Sequence, residues 1–159
     1  HPRAIRSFVL RQGHMTAAQQ RAIDTLWPRY GLDYRAENLD LAQTFGRAAP
    51  KVLEIGFGMG TATAEIARRL PDTDFLAADV HGPGVGNLLK LIEEQGIANI
   101  RVMRHDAVEI VENMLADNSL DRLGRIRRAN ARRAARFPRV GKHRRRLRPH
   151  PRLPPRNQI

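Results

Sequence analysis

A glycine-rich turn with an acidic residue just before it is the first feature of this sequence whose residue types could do chemistry. The stretch KVLEIGFGMG places Glu54 two residues before Gly56, and Gly58 and Gly60 follow at alternate positions. Glycine adopts backbone angles that other residues avoid, and it lets a ligand approach the main chain closely. Because a turn between a strand and a helix also leaves backbone N–H groups free, we expect it to bind a nucleotide-like ligand.

Two more acidic residues follow at positions where a sheet would present them to the same ligand. Asp79 ends the stretch TDFLAAD, 19 residues after Gly60, and Asp106 ends the stretch NIRVMRHD. A carboxylate can accept two hydrogen bonds from the hydroxyl groups of a ribose, which suits Asp79, and Asp106 could accept one from the exocyclic amine of adenine. A single acid in such a position often caps the next helix, whereas three acids and a glycine turn together indicate a binding site.

Alternating strands and helices must position these residues. Three short apolar segments predict strands: 51–55, TDFLAAD and NIRVMRHD. Each strand is followed by a segment that predicts a helix: 61–70, 84–95 and AVEIVENML. This order predicts an α/β fold with a parallel sheet and right-handed crossovers. In such a sheet the ligand binds at the carboxyl ends of the strands, which is where the acidic residues lie.

Upstream of the sheet, the stretch TAAQQRAIDTLW predicts a further helix. Thr16 and Gln19 have the spacing of a capping box. Pro28 and Gly31 are expected to break the helix. The segment that follows, up to residue 50, gives mixed signals and is treated as a connection.

The composition limits the class of protein. With 159 residues the chain can form one domain with a real core, and it contains no cysteine for a disulfide or a thiolate metal site. No apolar run is long enough to span a membrane, and the first residues lack the apolar stretch of a signal peptide, so we expect a cytoplasmic protein. No trio of histidine and acidic residues has the spacing of metal ligands, so we expect no metal.

The net charge of +12 is distributed unevenly along the chain. Residues 1–121 carry 13 Lys and Arg against 16 Asp and Glu, whereas residues 122–159 carry 15 Lys and Arg and no acidic residue. Arginine at this density suits the phosphates of a nucleic acid. Because the same segment shows no sustained apolar periodicity, we expect it to be largely disordered.

The spacing of the glycines distinguishes between two nucleotide cofactors. A dinucleotide fingerprint has the pattern GxGxxG, but here the third glycine, Gly60, comes one position early and an acid, Glu54, precedes the first. A carboxylate repels a nearby pyrophosphate and attracts an amine-bearing or cationic ligand. We therefore predict S-adenosylmethionine rather than NAD, an alternative that a titration with NAD would test.

Several longer stretches resemble one enzyme family. RSFVLRQGHMTAAQQ, VLEIGFGMG, DVHGPGVGNLL and NIRVMRHDAVEIVENMLADNSLDR are similar to the bacterial tRNA (guanine-N7)-methyltransferases, from about Arg6 to Arg122. The resemblance implies transfer of a methyl group from S-adenosylmethionine to N7 of a guanine in the variable loop of tRNA. It also implies that Glu54, Asp79 and Asp106 bind the cofactor together with the glycine turn. The family usually has Glu at the position of Asp79, which reaches one methylene further.

The resemblance stops after the stretch SLDR. The family continues into a fourth strand and a motif similar to FFPDPWxKxRHxKRR, whose acid contacts cofactor and substrate and whose basic residues contact tRNA. This motif does not follow here, so no catalytic residue is assigned. We expect a Rossmann-like S-adenosylmethionine-dependent methyltransferase fold with only the N-terminal half of the parallel sheet. Such a half-sheet would leave an open edge at the third strand or where further strands would pair.

The predicted organisation has three parts: an N-terminal arm and helix (1–50), an incomplete S-adenosylmethionine-binding α/β domain (51–121) and a basic tail rich in Arg and Pro (122–159). The abrupt break inside a matching motif, and the excess of residues with GC-rich codons, favour an out-of-frame origin for the tail. The chain would then be truncated and weakly active or inactive. The alternative is a functional tail that binds tRNA phosphates, and with it a non-catalytic basic RNA-binding protein.

Other residues near the expected site have structural interpretations. Gly84 and Gly86 are expected to serve the turn and the close packing of the second helix. His105 is expected to make local hydrogen bonds, and Trp27 to pack within the protein. His81 has two interpretations, a contact with cofactor or substrate and packing of its own loop.

Overall fold

The structure, a computed structural model, describes residues 13–124. The predicted arm before residue 13 and the predicted tail after residue 124 lie outside the described residues. The helices are α1 (Ala17–Tyr30), α2 (Leu41–Phe45), α3 (Thr61–Arg69), α4 (Gly82–Gln95) and α5 (Ala107–Met114). The strands are β1 (Lys51–Ile55), β2 (Asp74–Asp79), β3 (Ile100–Arg104) and β4 (Arg122–Gly124).

The described strands form one parallel sheet in the order β3-β2-β1-β4. β2 lies in the middle of the part that the sequence predicted, because it pairs with β1 on one side and with β3 on the other. The predicted α/β fold with a parallel sheet is therefore confirmed. The carboxyl ends of β1, β2 and β3 meet at one edge of the sheet, so residues that follow these strands share a surface.

The fourth strand is an addition to the prediction. Arg122–Gly124 pairs in parallel with Val52–Glu54. Just before it, Asp121 Oδ2 accepts a hydrogen bond from Lys51 N at 2.8 Å. Sequence patterns miss such a strand because three residues are too few to show a period of two. The first three residues that the sequence analysis assigned to the tail therefore form a strand of the sheet.

The outer edge of β3 is partly covered by the chain that follows α1. Gly31 forms a parallel bridge with Val102, and Leu32 N donates a hydrogen bond to Val102 O at 2.8 Å. Trp27 packs at this point, because a Cβ on Gly31 would lie 2.1 Å from its ring. The expectation of an open edge at the third strand is therefore wrong where Gly31 and Leu32 pair, and Trp27 has the packing role predicted for it.

Helix α1 begins at the predicted cap and continues beyond Pro28. Thr16 Oγ1 accepts a hydrogen bond from Gln19 N at 3.1 Å, and Gln19 Oε1 accepts one from Thr16 N at 2.9 Å, which confirms the capping box. Pro28 lies inside the last turn and the helix ends at Gly31. A proline there removes one backbone hydrogen bond, and α1 packs against α4.

Apolar side chains fill both faces of the sheet. One buried cluster joins α1, α3 and α4 to the sheet, and a second joins α2 and α5 to the opposite face. Neighbouring strand residues point to opposite faces, so Val102 lies in the first cluster and Met103 in the second. Full burial of one such side chain stabilises the fold by roughly 1.5–3 kcal/mol. Burial on both faces therefore fixes the register that aligns the strand ends.

An ion cluster around the buried residues Lys51 and Asp74 joins β1 to β2 at the amino-terminal end of the sheet. Asp74 accepts hydrogen bonds from Arg47 at 2.6 Å and from Lys51 Nζ at 2.8 Å. Burial raises the pKa of Asp74, but the hydrogen bonds and charges of Arg47 and Lys51 outweigh that effect, so its pKa lies below the ordinary value. The cluster thus lies at the opposite end of the sheet from the candidate site, which is at the carboxyl ends of the strands.

Candidate functional site

The glycine turn connects β1 to α3 in a conformation that only glycine adopts without strain. Gly56, Gly58 and Gly60 have φ angles of 70°, 61° and 81°, in the left-handed region. A Cβ on Gly56 or Gly58 would meet nothing within 4 Å, whereas one on Gly60 would lie 2.7 Å from Leu88 Cβ. Gly60 also caps α3 without a side-chain hydrogen bond. The turn is therefore open above Gly56 and Gly58 and closely packed behind Gly60.

Helix α4 holds this turn in place. A Cβ on Gly84 would lie 1.8 Å from Gly58 O, so the helix can approach the turn only because residue 84 is glycine. Asn87 Nδ2 donates a hydrogen bond to Met59 O at 2.6 Å. Gly86 allows a second close approach, since its Cβ would lie 2.7 Å from a carbonyl oxygen of α1. The predicted packing roles of Gly84 and Gly86 are confirmed, but Asn87 was not identified from the sequence.

Glu54 is a buried acid beneath the glycine turn. It is 1% exposed, and its Oε1 accepts a hydrogen bond from Thr63 Oγ1 at 2.9 Å. Its Oε2 is buried and has no hydrogen-bond partner among the described residues. Burial raises the pKa of Glu54 to about 8, an effect that the Thr63 hydrogen bond reduces and the charge of Asp79 increases. A buried polar atom without a partner is costly, so this atom is suited to a donor on a ligand.

Asp79 joins the end of β2 to the glycine turn. Its Oδ2 accepts a hydrogen bond from Gly58 N at 3.0 Å, and its Oδ1 accepts from Val80 N at 2.7 Å and His81 N at 3.1 Å. These bonds occupy three of the roughly four lone-pair directions of a carboxylate. The Asp79 carboxylate therefore stabilises the loop after β2 through its hydrogen bonds to the main chain. The one acceptor position that remains for a ribose hydroxyl is on Oδ2.

Asp106 caps helix α5. Its Oδ1 accepts a hydrogen bond from Val108 N at 2.7 Å. This is the capping role that a single acid after a strand often has. Since β2 lies between β1 and β3, the acidic residues follow the edge of the sheet in the order Glu54, Asp79, Asp106. The structure thus brings Glu54 and Asp79 together at the glycine turn and places Asp106 one strand beyond Asp79.

The two histidines near the site make local contacts. His81 Nδ1 accepts a hydrogen bond from Gly84 N at 3.3 Å and caps α4. His105 Nε2 pairs with Glu109, and its ring stacks on Tyr34 with a centroid distance of 3.8 Å and an interplanar angle of 6°. The local role predicted for His105 is confirmed. For His81 the structure supports the interpretation that the ring packs in its own loop, because Nδ1 accepts the hydrogen bond from Gly84 N. Nε2 is not part of that bond and could make another contact.

Residues 13–124 contain neither a cluster of metal ligands nor a helix that could span a membrane. In this part of the chain, no group of three or more histidine and acidic residues is arranged to hold a metal ion. The helices of the same residues do not include one that is long and apolar enough to cross a membrane.

The residues at this edge fit an amine-bearing nucleoside such as S-adenosylmethionine. Among the described residues, Glu54 Oε2 is a buried acceptor without a partner, and a Cβ on Gly56 or Gly58 would meet nothing within 4 Å. A cation bound there would stabilise the ionised form of Glu54. With the parallel α/β sheet, these features define a Rossmann-like methyltransferase domain.

A family model and curated relatives agree with that class. Residues 48–125 match the family described as "Putative methyltransferase". Over 121 residues the chain is 78% identical to the tRNA (guanine-N(7)-)-methyltransferase of Neisseria meningitidis serogroup A, and the alignment covers 76% of this chain and 51% of that protein. Over 119 residues it is 68% identical to the tRNA (guanine-N(7)-)-methyltransferase of Chromobacterium violaceum, with coverage of 75% and 53%. Among solved structures, a 30S ribosomal A1408 methyltransferase from an uncultured bacterium matches with a TM-score of 0.45 and 17% identity, over 57% of this chain and 45% of that chain.

Over the 121 aligned residues the chain is therefore similar to the tRNA (guanine-N7)-methyltransferases. The resemblance that the sequence suggested is confirmed. The chain spans about half the length of the curated relatives it matches.

Proposed function

We propose that residues 51–124 form the cofactor-binding part of an S-adenosylmethionine-dependent tRNA (guanine-N7)-methyltransferase. The observation that carries this proposal is the buried Oε2 of Glu54, which has no partner among the described residues and lies beneath an open glycine turn. The identity of 78% to a tRNA (guanine-N(7)-)-methyltransferase supports the choice of reaction. With tRNA as the substrate, the activity belongs in the cytoplasm.

Each site residue has a defined task in this proposal. The turn at Gly56, Gly58 and Gly60 lets the methionine part of the cofactor approach the main chain, and Glu54 accepts from its amine. Asp79 holds the ribose through Oδ2, and the Asp106 carboxylate lies one strand further along, where the adenine would extend. The cofactor supplies a methyl group on a sulfonium.

Methyl transfer to guanine N7 requires alignment more than acid–base chemistry. N7 carries an exposed lone pair, so in-line placement of the two reactants provides most of the catalytic effect. The family motif that would hold the guanine does not occur in residues 122–159. We therefore expect this sequence to bind the cofactor more effectively than it transfers the methyl group.

Calorimetric titration of the full chain with S-adenosylhomocysteine and, separately, with NAD tests the proposal. We expect S-adenosylhomocysteine to bind and NAD not to bind. Glu54→Gln should weaken binding by roughly tenfold or more, because it removes a charge-assisted hydrogen bond. Glu65→Gln is the matched control, since Glu65 is half-exposed on α3 and pairs with Arg69. Binding of NAD, or equal affinity of the Glu54→Gln variant and the control, would refute the proposal.

The charge of the last residues favours a second candidate function. Residues 122–159 carry 15 Lys and Arg and no acidic residue, so the chain could act as a non-catalytic RNA-binding protein. In that case tRNA affinity would fall steeply with salt concentration, and neither cofactor would bind. Fluorescence anisotropy with labelled tRNA over a range of salt concentrations, combined with the calorimetry, separates the two functions.

A further inference from the structure

A cleft of about 230 Å³ lies beside the candidate cofactor site, and we call it the basic cleft. It is lined by residues 13–15, residues 80–83 and Arg104. These segments are the chain just before α1, the loop from β2 into α4, and the last residue of β3. The glycine turn, Glu54, Asp79 and Asp106 do not line it, and it lies on the outer side of the loops that carry Asp79 and Asp106.

The chemistry of the basic cleft differs from that of the three acidic residues Glu54, Asp79 and Asp106. Among residues 13–124, its lining includes the nitrogen-bearing side chains of His14, His81 and Arg104, and no carboxylate. The surrounding residues 13–121 are acidic as a whole, with 10 Lys and Arg against 16 Asp and Glu. Three nitrogen-bearing groups around one cavity in an acidic domain favour an anionic ligand.

The hydrogen bond of His81 makes its other nitrogen a donor. Nδ1 accepts from Gly84 N, so in the neutral ring the proton is on Nε2. Nε2 faces the chain before α1, because a Cβ on Gly13 would lie 3.9 Å from it. His81 therefore presents an N–H group on the side of the basic cleft.

Arg104 is held against the same loop. A Cβ on Gly82 would lie 2.7 Å from a terminal nitrogen of Arg104, so the absence of a side chain at residue 82 lets the guanidinium lie on the main chain. Arg104 is exposed, and within residues 13–124 it forms no ion pair. A guanidinium without an acidic partner suits the planar recognition of phosphate.

We propose that the basic cleft binds a backbone phosphate of RNA. The choice of RNA rests on the proposed function, in which tRNA is the substrate, whereas the choice of phosphate rests on the cleft alone. S-adenosylmethionine carries no phosphate, and its amine is assigned to Glu54. The basic cleft would thus position the nucleic acid beside the cofactor without contacting the reacting atoms.

The test is an NMR titration of the full chain, followed through the ring signals of its histidines at constant ionic strength. The probes are inorganic phosphate, then tRNA, then S-adenosylhomocysteine. We expect phosphate to shift the signals of His14 and His81 but not that of His105, which is paired with Glu109. Arg104→Gln should weaken phosphate binding by roughly tenfold. Arg68→Gln, which removes an exposed charge at the end of α3, should leave it unchanged.

Addition of tRNA should displace the phosphate and move the same two histidine signals. In a separate salt titration, Arg104→Gln should reduce the salt slope of tRNA binding by about 1, as expected for one lost phosphate contact, and more than Arg68→Gln does. Equal shifts of all histidines, or wild-type phosphate affinity in Arg104→Gln, would overturn the site. Phosphate binding that tRNA does not displace would overturn the assignment to RNA.

A shift of His14 and His81 on addition of S-adenosylhomocysteine would also count against the proposal, because the cleft would then be part of the cofactor site. The phosphate titration needs no cofactor. Failure of the basic cleft is therefore distinguishable from failure of the proposed function, which is measured by cofactor affinity.

Discussion

Thr63 Oγ1 donates a hydrogen bond to Glu54 Oε1 at 2.9 Å, and this bond joins α3 to β1 beneath the glycine turn. Both residues are 1% exposed. The bond satisfies one oxygen of the carboxyl group and leaves the other, Oε2, without a partner among the described residues. Thr63 therefore orients the group that we assign to the cofactor, without being exposed to a ligand itself.

Replacing Thr63 by valine tests this orienting role. Thr63→Val keeps the shape of the side chain but leaves Oε1 of Glu54 buried without its donor, which should lower the free energy of unfolding by about 1–3 kcal/mol. It should also weaken S-adenosylhomocysteine binding, because the carboxyl group is no longer held in one orientation. Urea denaturation and calorimetry measure the two effects.

Thr25→Val is the matched control for Thr63→Val. Thr25 also donates its hydroxyl to the protein, at 2.7 Å to Arg21 O, but it lies on the exposed face of α1. We expect the control to bind the cofactor product as the wild type does. Equal cofactor affinity in both variants would show that Thr63 does not orient Glu54.

The raised pKa of Glu54 predicts how stability depends on pH. In the folded protein without ligand this pKa is about 8, against an ordinary value of 4.5 for a glutamate in the unfolded chain. Between these values the folded state keeps a proton that the unfolded state loses, so the free energy of unfolding should fall as pH rises from about 4.5 to about 8. The contribution is at most about 1.4 kcal/mol per pH unit, and it should be fully present below the lower value.

Glu54→Gln should remove this contribution. The difference in unfolding free energy between wild type and Glu54→Gln, measured by urea denaturation at several pH values, should change steadily across this range and level off above it. Glu65→Gln should follow the wild type at every pH, because Glu65 is half-exposed on the same helix as Thr63. A constant difference between wild type and Glu54→Gln would contradict the raised pKa.

Cofactor binding should release a proton at pH 7. Glu54 is mostly protonated there in the free protein, since its pKa is about 8, and an amine placed against Oε2 would favour the ionised form. Calorimetry in buffers of different ionisation enthalpy should give a release of nearly one proton for the wild type. The Glu54→Gln variant should release almost none, and equal release by both proteins would assign the proton to another group.

Sequence patterns predicted those parts of the candidate site whose residues are close together in the sequence. Glu54 and the glycines lie within seven residues of one another, and a buried strand followed by glycines is recognisable wherever it occurs. Asp79 and Asp106 were found because each ends an apolar run. The sequence could not decide that Asp106 caps α5, since capping and ligand binding favour the same residue type at the same place.

The residues that the sequence analysis missed act between elements. Thr63 reaches Glu54 across nine positions and Asn87 reaches Met59 across 28, so each contact depends on how a helix packs on the sheet. Polar residues on helices are common, and spacing alone gives no reason to select these two. β4 was missed for a related reason, because its three residues form a strand only through pairing with β1.

The packing of Gly84 against the glycine turn gives the last prediction. In Gly84→Ala the new Cβ would lie 1.8 Å from Gly58 O, so α4 or the turn must move. That movement would disturb Gly58 N, which donates to Asp79. We expect Gly84→Ala to lose S-adenosylhomocysteine binding by tenfold or more and to melt at a lower temperature than the wild type.

Gly96→Ala is the control for Gly84→Ala. It tests whether weaker cofactor binding comes from a displaced glycine turn or from a general loss of stability. Gly96 ends the same helix with a φ of 61°, and a Cβ there would meet nothing within 4 Å. Alanine in this conformation costs roughly 1–2 kcal/mol of stability but lies away from the turn. Gly96→Ala should therefore melt earlier and yet bind S-adenosylhomocysteine normally below its melting temperature. If Gly84→Ala also bound normally, α4 would not be what holds the glycine turn in its binding conformation.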